Sequence, residues 1–198
     1  YARPRVPRQD RVDLNALLNQ ATGFLEGEMK RLHVECVRDT EPSLFVLGDK
    51  DLLYRAFYNI LVNAYQAIGE NGSITIRGER REDGMIALSF RDSGPGFPPD
   101  LLPKLLDPFF TTKDHGTGLG LPIVNTIVTA HGGQLVLSNP EEGGAMITIL
   151  LPVASDPDIS DTPESGASLG TDEPVTLTDP LPDDEDDTRK AETSPQTR

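Results

Sequence analysis

Between residues 49 and 68, Leu52, Leu53, Ala56, Phe57, Ile60, Leu61, Ala64 and Ile68 recur at steps of three and four. That spacing lays one apolar stripe along a helix and predicts the strongest helical element of the chain, with Asp49 placed to cap it. Further helices are predicted over 15–30 and 121–130, the second closed by His131-Gly132-Gly133. Elsewhere the period shortens to two. Leu32, Val34 and Cys36 alternate with His33, Glu35 and Val37, which predicts a half-buried strand. Residues 11–14 and 44–47 read as short strands, the latter stopped by Gly48-Asp49. Residues 73–81 and 85–91 are β-rich runs joined at Asp83-Gly84, a hairpin signal. Residues 134–138 and 145–151 form a last strand pair around Glu141-Glu142-Gly143-Gly144. The stretch from Asp92 to Gly120 is rich in Gly and Pro, with one short helical run near 101–106. It is long for a connection inside a compact domain, and loops of that length are usually functional or disordered. This order of elements predicts an α/β sandwich, a mixed sheet with helices on one face.

Charge changes the picture only at the end of the chain. Residues 155–198 hold 13 acidic and 3 basic side chains, −10 of the total −14, while residues 1–154 carry 19 acidic and 15 basic ones. The acidity belongs to the tail and not to the folded surface. A segment such as 179–187 (DPLPDDEDD) buries too little apolar area to offset its ordering entropy, so residues 154–198 are expected to be a disordered acidic tail. An acidic peptide that docks on a basic partner is the alternative. Residues 1–10, with Arg3, Pro4, Arg5, Pro7 and Arg8, read as an extended linker. The single cysteine, Cys36, excludes an internal disulfide, fits a reducing compartment and reads as a buried, inert thiol. No apolar stretch approaches the roughly 20 residues that cross a bilayer, and no signal peptide opens the chain. Starting at Tyr1, the chain is expected to be a cytoplasmic fragment, any membrane anchor of its parent lying upstream.

Four clusters carry candidate chemistry. Asn59 and Asn63 stand four apart on the strongest helix, beside its buried stripe. A half-buried amide must be satisfied, and its neutral oxygen suits a hydrated Mg²⁺; a solvent-side asparagine pair fits this motif equally well. Asp92-Ser93-Gly94-Pro95-Gly96 follows a strand. An ionised Asp only accepts hydrogen bonds, so beside glycines it selects an exocyclic amine such as adenine's. Guanine would present an oxygen there, a mismatch of roughly 1–3 kcal/mol. Taken alone, an ordinary Asp-Gly turn is the simpler reading. Gly116-Thr117-Gly118-Leu119-Gly120-Leu121 opens a helix, where backbone N–H groups form a phosphate site. It lacks the Gly-Lys-Ser/Thr of a P-loop and the strand-to-helix turn of a dinucleotide fold. Between these two lies Asp107-Pro108-Phe109-Phe110-Thr111-Thr112-Lys113. Adjacent aromatics need somewhere to pack, and a lysine near the glycine run can pair with a polyphosphate. The loop reads as a lid whose phenylalanines dock and undock with the nucleotide.

In this order and spacing the clusters resemble the boxes of the Bergerat-fold ATPases and, among them, the catalytic domains of sensor histidine kinases. Residues 59–67 resemble the N box, 92–96 the G1 box, 107–113 the F box and 116–121 the G2 box. Residues 144–152 (GAMITILLP) are similar to the closing strand, whose threonine sits beside the adenine. The resemblance implies a mixed, mostly antiparallel sheet of about five strands covered on one face by about three helices. It implies ATP and Mg²⁺ as ligands. Asp92 would accept from the adenine amine, with Thr148 helping through water and Gly94 and Gly96 lining the site. Asn63 would bind Mg²⁺, and Asn59 would help hold metal and phosphates. Lys113 and the run Gly116, Thr117, Gly118, Leu119 and Gly120 would contact the phosphates. Asn59, Asn63 and Lys113 would thus serve catalysis.

The same resemblance implies a linker over 1–10 from a dimerisation and phosphoacceptor domain, a catalytic domain over 11–153, and the tail beyond. The function implied is donation of the ATP γ-phosphoryl to a histidine on that separate domain, with a response regulator as further partner and no nucleic acid. The fragment is expected to be monomeric and its parent homodimeric. The Phe-Phe-Thr-Thr-Lys lid looks most like the nitrogen-regulation branch. Gyrase-like, mismatch-repair and heat-shock relatives carry a Glu general base four residues before the metal-binding Asn; here that position is Asn59. Efficient water activation is therefore disfavoured, and a Bergerat-type ATPase or an inactive nucleotide-binding regulatory module are the rivals. His33, read as part of a strand, His115 in the lid and His131 at a helix end all lack the acidic residue that follows family acceptor histidines.

Overall fold

The computed structural model describes residues 9–111 and 117–154. Most of the expected linker, Lys113, His115, Gly116 and the acidic tail from residue 155 lie outside them.

The three predicted helices form: α1 over Leu14–Arg31, α2 over Lys50–Ile68 and α3 over Gly120–Ala130. Asp13 caps α1 by accepting from the N–H groups of Asn15 and Ala16, and Asp49 caps α2 through those of Asp51 and Leu52. The apolar stripe of α2 is its buried face, with Leu53, Ala56, Phe57, Ile60 and Leu61 fully enclosed.

Five strands make the main sheet in the order β2 (Val34–Thr40), β4 (Gly72–Arg80), β5 (Met85–Asp92), β7 (Met146–Pro152), β6 (Gln134–Ser138). Only the β2–β4 pair is parallel, so the sheet is mixed and mostly antiparallel. Alternation decides its faces. Ile74, Ile76, Ile86, Leu88, Phe90, Ile147, Ile149 and Leu151 are buried against the helices. Thr75, Arg77, Ser89, Arg91 and Thr148 take the intervening positions on the helix-free face. The Phe57 and Phe90 rings, centroids 5.8 Å apart, join α2 to the middle of the sheet.

Some details differ from the pattern reading. β1 (Asp10–Asp13) and β3 (Phe45–Gly48) pair only with each other, as a separate two-stranded ribbon. Leu32 caps α1 and His33 has φ +53, so both belong to the turn before β2 and not to the strand. Near the ends of the described residues, Asp10 pairs with Gly48, and buried Ala154 donates to the carbonyl of Phe45 at 2.8 Å. The short helical run near 101–106 is a 3-10 turn over Pro99–Lys104.

Candidate functional site

Asp92 ends β5 on the helix-covered face, with only 7% of its surface exposed. A carboxylate at such a depth must be held by donors. Its Oδ1 accepts from the N–H of Gly94 at 2.9 Å and of Ala145 at 3.2 Å. The Asp92 N–H donates in turn to the Ala145 carbonyl at 2.9 Å. Glycines permit this approach. A Cβ on Gly144, whose φ is +80, would stand 1.8 Å from the Asp92 carbonyl oxygen. A Cβ on Gly94 would come within 2.9 Å of Asp92 Oδ1 and 3.2 Å of the Ala67 carbonyl. The second contact seats the strand end on the last turns of α2.

Asn63 lies one turn earlier on α2 and is half-buried. A Cβ on Gly120 would stand 3.1 Å from its Nδ2, so the first residue of α3 packs on the Asn63 amide. Asn59 lies one turn further back, its Nδ2 donating to the Arg55 carbonyl at 2.9 Å. Leu119 precedes α3 without a side-chain cap, leaving first-turn N–H groups that favour an anion. Gly118, at φ +64, accepts through its carbonyl from the Phe109 N–H at 3.1 Å and lies against the Phe109 and Phe110 backbone. Thr117 is exposed and Leu119 half-buried in the same run. Phe109 is 76% exposed with φ +69.

The structure therefore gathers Asp92, Gly94, Asn63, Gly118 and Gly120 around the C-terminal half of α2 and the start of α3, with Gly96 further along the Asp92 loop against Asn139 and Gly144. Thr148 is not among them. It pairs across the sheet with Ser89 and Val136 on the helix-free face, away from Asp92. Ala145 reaches Asp92 instead, with a backbone N–H and no hydroxyl. Asn139, which has no place among the sequence motifs, grips the far end of the Asp92 loop. Its Oδ1 accepts from the Phe97 N–H at 2.8 Å and its Nδ2 donates to the Phe97 carbonyl at 2.7 Å. The only sequence signal for it is the Asn139-Pro140 turn dipeptide after β6.

An adenine nucleotide fits this donor set: a fixed buried acceptor, glycines where side chains would obstruct, and uncapped helix N–H groups. Among the described residues no group of three or more His, Cys, Asp or Glu side chains is placed to hold a metal ion. The half-buried Asn63 amide offers a neutral oxygen of the kind that suits a hydrated Mg²⁺ carried mainly by phosphate oxygens and water.

Comparison with known proteins agrees with this geometry. Residues 48–155, more than half of the chain, match the family described as histidine kinase-, DNA gyrase B-, and HSP90-like ATPase. The chain belongs to this ATPase family. The domain is 35% identical over 154 residues to the signal transduction histidine-protein kinase AtoS of Escherichia coli K12, covering 77% of this chain and 25% of AtoS. It is 36% identical over 145 residues to the sensor histidine kinase ZraS of the same organism, covering 72% of this chain and 30% of ZraS. It thus spans about a quarter to a third of these relatives. The nucleotide-free catalytic domain of histidine kinase ThkA superposes with a TM-score of 0.69 at 32% identity, over 73% of this chain and 95% of that one. The mycobacterial sensor histidine kinase MprB gives 0.65 at 31%, over 73% and 97%. ThkA in complex with the response regulator TrrA gives 0.68 at 29% identity, over 78% of this chain and 44% of that one. The fold is accordingly the Bergerat fold of histidine kinase catalytic domains.

Proposed function

We propose that this ATPase-family domain binds Mg-ATP and passes the γ-phosphoryl to a histidine on a dimerisation and phosphoacceptor domain of its parent protein. That parent would be a homodimeric sensor kinase paired with a response regulator. The observation that carries the reading is the Asp92 carboxylate, buried and fixed by two backbone N–H groups beside the helix that bears Asn63.

Each residue has a defined task. Asp92 accepts from the adenine amine, and the glycines at 94, 96 and 144 let the base approach. The N–H groups at the start of α3 meet the phosphates, and the family resemblance adds Lys113 and Gly116 as further phosphate contacts. Asn63 offers its amide oxygen to Mg²⁺, which spreads the charge of the triphosphate. An acceptor imidazole nitrogen attacks the γ-phosphorus, and the bond to the β–γ bridging oxygen breaks with its electron pair leaving on ADP. Catalysis is then positioning and charge neutralisation. Asn59 supports transfer to histidine over hydrolysis. An amide donating to the Arg55 carbonyl cannot take a proton from water, whereas a neutral imidazole is already nucleophilic.

Calorimetric titration of Mg-ADP and Mg-GDP into the wild-type domain and Asp92→Ala tests the site. Binding of ADP, rejection of GDP and loss of ADP by the variant are expected. Adding the acceptor domain with labelled ATP should then place the label on its histidine. A wild-type domain that takes neither nucleotide overturns the assignment.

A further inference from the structure

The segment from Asn139 to Ala145 joins β6 to β7, and none of the nucleotide-binding motifs includes its first half. Contacts at its start, middle and end nevertheless fasten it to the Asp92 loop and the end of β5. At its start, Asn139 makes a two-way amide clamp on the backbone of Phe97. A Cβ on Gly96, whose φ is +80, would lie 3.0 Å from Asn139 Oδ1 and 3.1 Å from the Gly144 carbonyl, so the loop passes between the two with no room for a side chain. In the middle, Arg91 reaches over from the helix-free face. Its Nη2 donates to the Gly143 carbonyl at 3.1 Å, and Nη1 faces Glu142 Oε2 at 3.5 Å. At the end, Gly144 packs on the Asp92 carbonyl and Ala145 donates to Asp92 Oδ1.

The carboxylate that would read the base is therefore aimed from two sides. Gly94 holds it from its own loop, and Ala145 holds it from a segment that Asn139 and Arg91 anchor. Amide donors set where a carboxylate oxygen points, and a hydrogen bond weakens steeply when its angle falls below about 120°.

We infer that Asn139 is a positioning residue for adenine recognition, clamping residues 139–145 and the 92–97 loop into one unit that orients Asp92. The inference rests on the nucleotide-site reading above and adds a specificity element to it. In this reading Asn139 acts through Asp92, by holding the Phe97 backbone, and not on the reacting atoms or the phosphates. Arg91 supports the same unit from the opposite face of the sheet.

Because the role concerns the base alone, the decisive quantity is a comparison of two ligands. Mg-ADP needs the base pocket and the phosphate cradle, whereas Mg-tripolyphosphate needs only the cradle. Both are titrated calorimetrically into the wild-type chain, Asn139→Ala and Arg91→Met, with thermal midpoints recorded for each protein. Asn139→Ala is expected to weaken Mg-ADP about tenfold, the loss of one well-aligned hydrogen bond, while tripolyphosphate affinity stays within about twofold. Arg91→Met is expected to move in the same direction by a smaller factor. If Asn139→Ala does not fold, the Arg91→Met comparison decides between the outcomes, since that side chain is partly exposed.

Equal weakening of both ligands would mean general loosening and overturns the inference. Unchanged ADP affinity in the folded variants overturns it too. If wild-type chain binds tripolyphosphate but not ADP, the base-pocket reading fails and this inference falls with it. If Asp92→Ala loses ADP while Asn139→Ala keeps it, the nucleotide site stands and this inference alone fails.

Discussion

Cys36 lies on β2, half-buried against the core. Burial pushes its thiol above the ordinary value, and Arg38 draws it back only in part. The folded chain thus holds this proton more tightly than the unfolded chain. Stability from this source is intact below the unfolded thiol's pKa and declines as pH rises towards the folded one. Labelling with a disulfide reagent at pH 8 should be several-fold slower for the native protein than in denaturant, with the ratio shrinking at higher pH; equal rates would show an accessible, ordinary thiol. Residues in β7 teach a different lesson. Apolar alternation at Ile147, Ile149 and Leu151 puts Thr148 on the other face, against the place beside the adenine that the family resemblance implies. The period-two rule was the better guide, because a strand cannot turn one side chain to the opposite face without a bulge.

Helices α2 and α3 meet at both ends, and His131 makes the junction remote from the site. Its Nδ1 lies 2.7 Å from the Ile127 carbonyl, and its Nε2 accepts from the Asp49 N–H at 2.9 Å. These partners assign the proton to Nδ1 of a neutral ring. Gly48 makes the approach possible: a Cβ there would stand 2.4 Å from His131 Cδ2. His131→Ala leaves the Asp49 N–H without its acceptor and should cost roughly 1–3 kcal/mol in denaturant unfolding. Gly48→Ala should also destabilise. The double variant should cost less than the sum, because removing the ring relieves the clash; strict additivity would show that the two residues do not meet. The helices themselves were legible, since apolar steps of three and four name the buried face whatever lies opposite. The junction was not. Asp49 and His131 are 82 residues apart, and neither carries a local pattern that points to the other. Asn139 was hidden in the same way, because a clamp on a backbone leaves no mark on its partner's residue type.

The described residues reproduce the predicted sandwich, a mixed five-stranded sheet with helices on one face. What pattern could not assign was partnership: seven short strands were readable, but their division into five and two depends on contacts across the chain. The edges of the fold carry a prediction of their own. Ala154 is buried and bonded to Phe45, so a chain ending after Ala154 should keep the full-length thermal midpoint, whereas one ending after Val153 should lose part of it. A lower midpoint for the 154-residue chain would mean that the acidic tail contributes to the fold. One further consequence follows from β3. It pairs with β1, where the described chain enters, and its Phe45 also receives Ala154, where that chain leaves. Entry and exit thus lie on the two sides of β3, their partners on it three residues, or roughly 10 Å, apart. A unit whose two ends lie this close behaves as a cassette: it can be spliced into a longer polypeptide without moving the sequences on either side far apart.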